Sequence, residues 1–202
     1  ENELILPGLD ARHMGVELDG IYKFSDKLDL QATVSLGDWI WATNRATVYE
    51  ELTANEDVLS LDEPVYISFN NIYVGDAPQS QFGLSLNFKP NKASYIRLKY
   101  RYNAKYYSDF NPKPRLNGFD EDPIQPWKIP NFSLFDLSAG YNFDYKKHKV
   151  NLSVNVFNLF DTYYIADASN NAENMIDTQN NNDAASASVF FGSGRYFSTA
   201  LN

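Results

Sequence analysis

Apolar and polar residues alternate along most of this chain, and the period is two. In YIRLKYRYNAKYY, residues 95 to 107, one parity holds Ile96, Leu98, Tyr100, Tyr102, Ala104 and Tyr106, and the other Arg97, Lys99, Arg101, Asn103 and Lys105. A helix would scatter both sets around its circumference, whereas a strand gives each set its own face. The same ladder recurs at 14 to 24, where Val16, Leu18, Tyr22 and Phe24 oppose Glu17, Asp19 and Lys23. It recurs again at 28 to 36, 81 to 88, 135 to 143 and 150 to 156, and more briefly at 195 to 202. Near Gly37 the phase slips and brings up Trp39 and Trp41, which predicts a bulge.

The ladders run from about 7 to 13 residues, around the roughly 9 to 11 of a tilted strand crossing a hydrocarbon layer. Between them, short turns at 25 to 26, 89 to 93 and 144 to 148 alternate strictly with long polar segments at 44 to 78, 108 to 131 and 160 to 193. Membrane barrels have this asymmetry, with brief periplasmic turns and long extracellular loops. A soluble antiparallel sandwich is the competing architecture, but its strands are usually shorter and its loops similar at both ends. The pattern therefore predicts an all-β, antiparallel transmembrane barrel with aromatic residues near the strand ends. In it, Ile96, Leu98, Tyr100 and Tyr102 face lipid and Arg97, Lys99, Arg101 and Lys105 face the lumen. The opposite register would put each charge in hydrocarbon at a cost of about 2 to 4 kcal/mol.

Composition agrees with strands that are wet on one side. The 202 residues include fourteen Tyr and fourteen Phe, yet mean hydropathy is -0.43. A net charge of -9 argues against nucleic acid as a partner. With no cysteine, thiolate metal sites, cysteine nucleophiles and disulfides are excluded. No apolar run of about 18 residues predicts a transmembrane helix. The first residues, ENELILPGLD, lack a charged-then-apolar leader and read as a mature end or an internal cut.

One further stretch carries a motif. VNLSVNVFNLFDTYYI runs an alternating strand into Asn158, Leu159, Phe160, Asp161 and Tyr164. This resembles the penultimate-strand signature, N-L-F-D-x-x-Y, of TonB-dependent outer-membrane receptors, closest in wording to those of the Bacteroidetes type. Arg12, Gly15 and Glu17 resemble the family's R-x-x-G-x-E strand, and Gly194 and Arg195 resemble the start of its closing strand. The resemblance spans essentially the whole chain. It implies about seven strands from the C-terminal part of a barrel of about 22, with the plug domain, the earlier strands and the final few residues of the last strand expected outside this sequence. It further implies a receptor in the cell outer membrane whose partners are outer-membrane lipid, the remainder of the receptor, the TonB complex reached through the plug, and a small nutrient ligand. A scarce nutrient such as a ferric siderophore or other iron chelate, imported with TonB-supplied energy, is the expected cargo. A passive porin or a structural or adhesion barrel is the alternative.

Candidate site residues fall into two groups. Arg97, Lys99, Arg101 and Lys105 form a basic ladder that either pairs with wall carboxylates such as Glu17, Asp19, Asp29 or Asp136, or attracts an anionic ligand. Arg115, Phe119 and Trp127 lie in a proline-stiffened long segment suited to ligand contact, or else Trp127 with Ile129 anchors that segment at the membrane surface. The clusters Asp120-Glu121-Asp122 and Asp57 with Asp62-Glu63 lack calcium-loop spacing, so no metal is expected. His13 and His148 sit in different strands, and no nucleophile elbow or phosphate loop is present, so neither catalysis nor a cofactor is expected.

Overall fold

The computed structural model describes residues 3–4, 9–43, 46–52, 58–67, 69, 71–110, 125–170 and 187–201. All regular structure among them is β. In chain order the strands are β1 (Glu3–Leu4), β2 (Ala11–Ser25), β3 (Leu28–Trp41), β4 (Ala46–Leu52), β5 (Val58–Ile67), β6 (Ile72–Tyr73), β7 (Ser80–Asn91) and β8 (Ser94–Ala104). They continue as β9 (Tyr106–Tyr107), β10 (Asp109–Phe110), β11 (Lys128–Ile129), β12 (Phe132–Tyr145), β13 (His148–Phe157), β14 (Ile165–Asn170), β15 (Ala187–Phe191) and β16 (Tyr196–Leu201).

The seven expected ladders form one antiparallel sheet in chain order, β2-β3-β7-β8-β12-β13-β16, with β6 added alongside β3. Short turns close β2 to β3, β7 to β8 and β12 to β13, so all three lie at one end of the sheet and the long connections at the other. Cross-strand register keeps apolar with apolar. Leu98 lies between Leu86 and Leu137, and Tyr100 between Leu84 and Phe135. Leu30 pairs with Tyr22 and Leu86, and Leu152 with Tyr141 and Leu201. A slip of one residue anywhere would mix the two faces.

Among the described residues no second layer covers the apolar face. Val16, Leu18, Leu36 and Leu201 are 57%, 65%, 55% and 69% exposed. The packed core sits instead at the long-connection end, where Tyr106, Ile129 and Ala168 are buried against Trp127, Phe132, Ile165 and Val189. Short strands pair there: β9 with β11, and β14 with β10 and β15. The long segments thus carry more strand than their polar composition suggests, β4 and β5 included.

Two sequence expectations change. β2 and β3 run 15 and 14 residues, past the ends of their ladders. Nor is there a bulge at Gly37: β2 and β3 stay in continuous register from Ala11↔Trp41 to Lys23↔Asp29, with Gly37 opposite Gly15. What slips is the neighbour on the other side. Pro78 has no N–H to give a ladder, β7 starts only at Ser80, and β6 takes over beside Ile40 and Trp41. The gap is closed by Gln79, whose backbone oxygen accepts from Gly37 N–H at 2.5 Å. Its side chain accepts from Trp39 N–H at 3.0 Å and donates to Trp39 O at 2.9 Å and Val74 O at 3.2 Å. Trp39 and Trp41 keep the parity of the polar face because chain folds over that face here: Trp41 meets Phe69 at 6.1 Å, and Ile72 is fully buried.

Candidate functional site

The polar face of β8 carries Arg97, Lys99 and Arg101 at alternate positions. Arg97 Nε donates to Asn87 Oδ1 at 2.5 Å, and Asn87 Nδ2 donates to Asp29 Oδ1 at 2.8 Å, linking β8, β7 and β3 across the wall. Asn87 is buried under these bonds, and the Arg97 guanidinium lies 6.0 Å from the Tyr95 ring centre. Arg101 Nη2 meets Asp136 Oδ2 on β12 at 3.2 Å. The other oxygen of Asp136 accepts the Asn158 backbone N–H at 3.0 Å, so this buried carboxylate is shared between a wall cation and the end of β13.

Lys99 differs from its neighbours. It is exposed, it stands between Ser85 and Asp136 in register, and no carboxylate lies within ion-pair distance among the described residues. Ser85 Oγ, buried on the same face, has no hydrogen-bond partner among them either. Lys105 is not in the ladder, because β8 ends at Ala104 and Lys105 turns the chain with φ 49°. Its role there is structural: its carbonyl accepts Gln79 N–H at 3.1 Å.

At the long-connection end, Trp127 is half-buried in the core with Tyr106 and Ile129, and its carbonyl accepts Ser108 N–H at 2.8 Å. Arg115 and Phe119 lie outside the described residues, as do Asp57 and the 120–122 cluster. The same end is electronegative. Burial, then Asp109 and Asp167, raise the Asp76 carboxyl; burial, then Asp167 and Asp76, push the Tyr106 hydroxyl up to about 12. Among the described residues no group of three or more His, Asp and Glu is placed to hold a metal ion.

Residue motif and geometry meet at Asn158. It is buried with φ 50°, and its side chain donates to Thr162 O at 2.9 Å and Ser193 O at 3.1 Å while accepting from Thr162 N–H at 2.9 Å. Asp161, at φ 56°, accepts the Arg195 backbone N–H at 2.7 Å. Tyr164 stacks near Phe132 at 4.6 Å and lies over Gly192, where an added Cβ would collide with its ring. N-L-F-D-x-x-Y is thus a clasp that delivers the chain into β16, and its bonds were invisible in the sequence because Ser193 and Asp136 lie far from it along the chain.

Comparisons with known proteins agree with this architecture. A family model for the TonB dependent receptor-like β-barrel matches residues 9–159. Among solved structures, the copper transporter OprC superposes with a TM-score of 0.54 at 17% identity, over 96% of this chain and 23% of its own. The ferric-catecholate import receptor Fiu from K12 E. coli gives a TM-score of 0.42 at 16% identity, over 95% of this chain and 27% of its own. The chain therefore spans less than a third of the length of either structure. No curated protein sequence matches. OprC, at this identity, speaks for the fold alone. Since the family match covers more than half of the residues on a sheet with the expected faces and connections, the chain belongs to the TonB-dependent receptor-like β-barrel family.

Proposed function

We propose that this chain is the C-terminal portion of an outer-membrane receptor that binds a scarce nutrient, such as a ferric siderophore or other iron chelate, and imports it with energy supplied through TonB. In this reading the apolar face meets membrane lipid, the polar face lines the lumen against the plug, and the long connections face outward. The observation that carries it is the register: a family β-barrel sheet whose apolar face has no protein layer over it among the described residues and whose polar face presents cations. Hydrocarbon tolerates such a sheet only with its backbone bonds made between strands and its charges on the other side.

Within the lumen the ladder divides its work. Arg97 and Arg101 are engaged with Asn87 and Asp136 and hold neighbouring strands together. Lys99, opposite Ser85 in register, is the cation of the ladder left among the described residues to attract an anionic chelate, and Arg115, Phe119 and Trp127 are the proposed ligand contacts of the long connection. Transport rather than catalysis fits a family of transport receptors.

Uptake of a radiolabelled ferric catecholate by cells carrying the full-length receptor tests this. Uptake is expected to need TonB, and Lys99→Glu to slow it by on the order of tenfold at low salt through lost steering. Ion conductance without an energy source, with no TonB-dependent uptake of iron chelates, would instead favour the passive barrel.

A further inference from the structure

We propose that the short-turn end of the sheet is a docking collar for the phosphate headgroups of anionic phospholipids. The chain as a whole is acidic, at -9, yet lysines gather at the short-turn end: Lys27 beside Asp26 in the first turn, Lys92 in the second with Lys89 just before it near the end of β7, and Lys146 and Lys147 in the third. The acids at this end are Asp26, Asp29, which stands opposite Lys23, and Asp144, which faces Lys149 across the β12–β13 pair. Residues 44 to 78, in contrast, contain Glu50, Glu51, Glu56, Asp57, Asp62, Glu63 and Asp76 against the single Arg45. Along the sequence, lysines thus mark the short turns while this long connection is acidic.

The fold makes these turns a continuous rim. Lys89 N–H donates to Lys27 O at 2.7 Å, joining the first turn to the end of β7, and Asn142 N–H donates to Ala93 O at 2.7 Å, joining the second turn to β12. Just inside the rim, the apolar face carries a band of rings. Tyr22 and Phe24 pack edge-on at 4.9 Å, Phe88 is exposed, and Tyr141 and Phe143 stack at 5.9 Å. Tyr145 closes the band at the third turn, and Lys146 Nζ stands 5.5 Å from its ring centre. An ammonium held over a ring at the edge of an apolar band is where a lipid phosphate lies when the acyl chains cover that band. Aromatic rings set the depth and lysines supply the charge, so the occupant is an anionic bilayer leaflet rather than a soluble acidic protein, which would have no use for the rings.

The inference rests on the reading that the apolar face meets lipid, but its test needs only insertion, so a failure of uptake would bear on transport and leave it standing. The test is native mass spectrometry of the full-length receptor released from bilayers of equal phosphatidylglycerol and phosphatidylcholine. Wild type is expected to retain phosphatidylglycerol preferentially, and millimolar inorganic phosphate is expected not to displace it. Lys146→Gln with Lys147→Gln should lower the ratio of retained anionic to zwitterionic lipid by roughly tenfold. Lys128→Gln, at the opposite end, should keep the wild-type ratio. Equal retention of both lipids by wild type, an unchanged ratio in a folded double variant, or displacement by free phosphate would overturn the proposal. Heat-dependent gel mobility reports folding, and if the double variant does not fold, the wild-type lipid comparison decides.

Discussion

Asn158 and Asp161 show what single residues do in this sheet. Both sit in the left-handed region, where Asn and Asp are among the few side chains tolerated. Both use that geometry to bond across the turn into β16. Asn158→Gly keeps the backbone and deletes three side-chain bonds, leaving groups of the half-buried Thr162 and the exposed Ser193 without their partner. It should lower the stability of the full-length receptor by about 2 kcal/mol. Asn158→Ala adds the cost of a left-handed alanine, about 1 kcal/mol more. Midpoints of heat-dependent gel mobility measure both, and a variant that melts with wild type would show that the clasp holds nothing. The motif letters were legible beforehand, as was the face on which Arg97 and Arg101 stand. That Arg101 would choose Asp136 among several wall carboxylates was not, because the choice depends on the register of β8 against β12.

Among the elements, β3 is the instructive one. Its two halves belong to different neighbours, β7 up to Leu36 and β6 from Ile40, and Gln79 is the patch between them. Periodicity alone assigned the phase change at Gly37 to a bulge. The chain instead stays regular and changes what covers its polar face, so large side chains become acceptable there. Gln79→Leu keeps the volume but leaves Trp39 N–H and C=O without their side-chain partners. The opening free energy of the Trp39–Trp41 amides should fall by about 1 to 3 kcal/mol, counting Trp39 N–H as the unsatisfied group, since Trp39 C=O keeps the Val74 N–H at 3.0 Å. Hydrogen exchange of those amides measures it, and the centre of β8 serves as the internal control. Equal protection in both variants of the receptor would mean that water replaces the glutamine.

For the molecule as a whole, the decisive feature is the pairing of an uncovered apolar face with a charged one. Leu98 lies mid-strand between Leu86 and Leu137 on the apolar face, and Lys99 follows it on the other. Leu98→Arg should cost about 2 to 4 kcal/mol and sharply reduce the folded receptor recovered from outer membranes. Lys99→Gln, one residue on, should leave that yield at the wild-type level. Similar yields from the two variants would contradict a lipid-facing assignment of Leu98.

The strand ladders, their face assignments and the rhythm of short and long connections were written in local order, because a period of two survives any arrangement of neighbours. The likeness to a receptor barrel came from motif letters in the same local order. Tertiary structure decided the rest: the extension of β2 and β3, the pairing inside the long connections, the exclusion of Lys105 from the ladder, and the sharing of Asp136 between Arg101 and Asn158. Each depends on which residue of one strand stands opposite which residue of another. That register is set by contacts across tens of residues, and no window of sequence contains it.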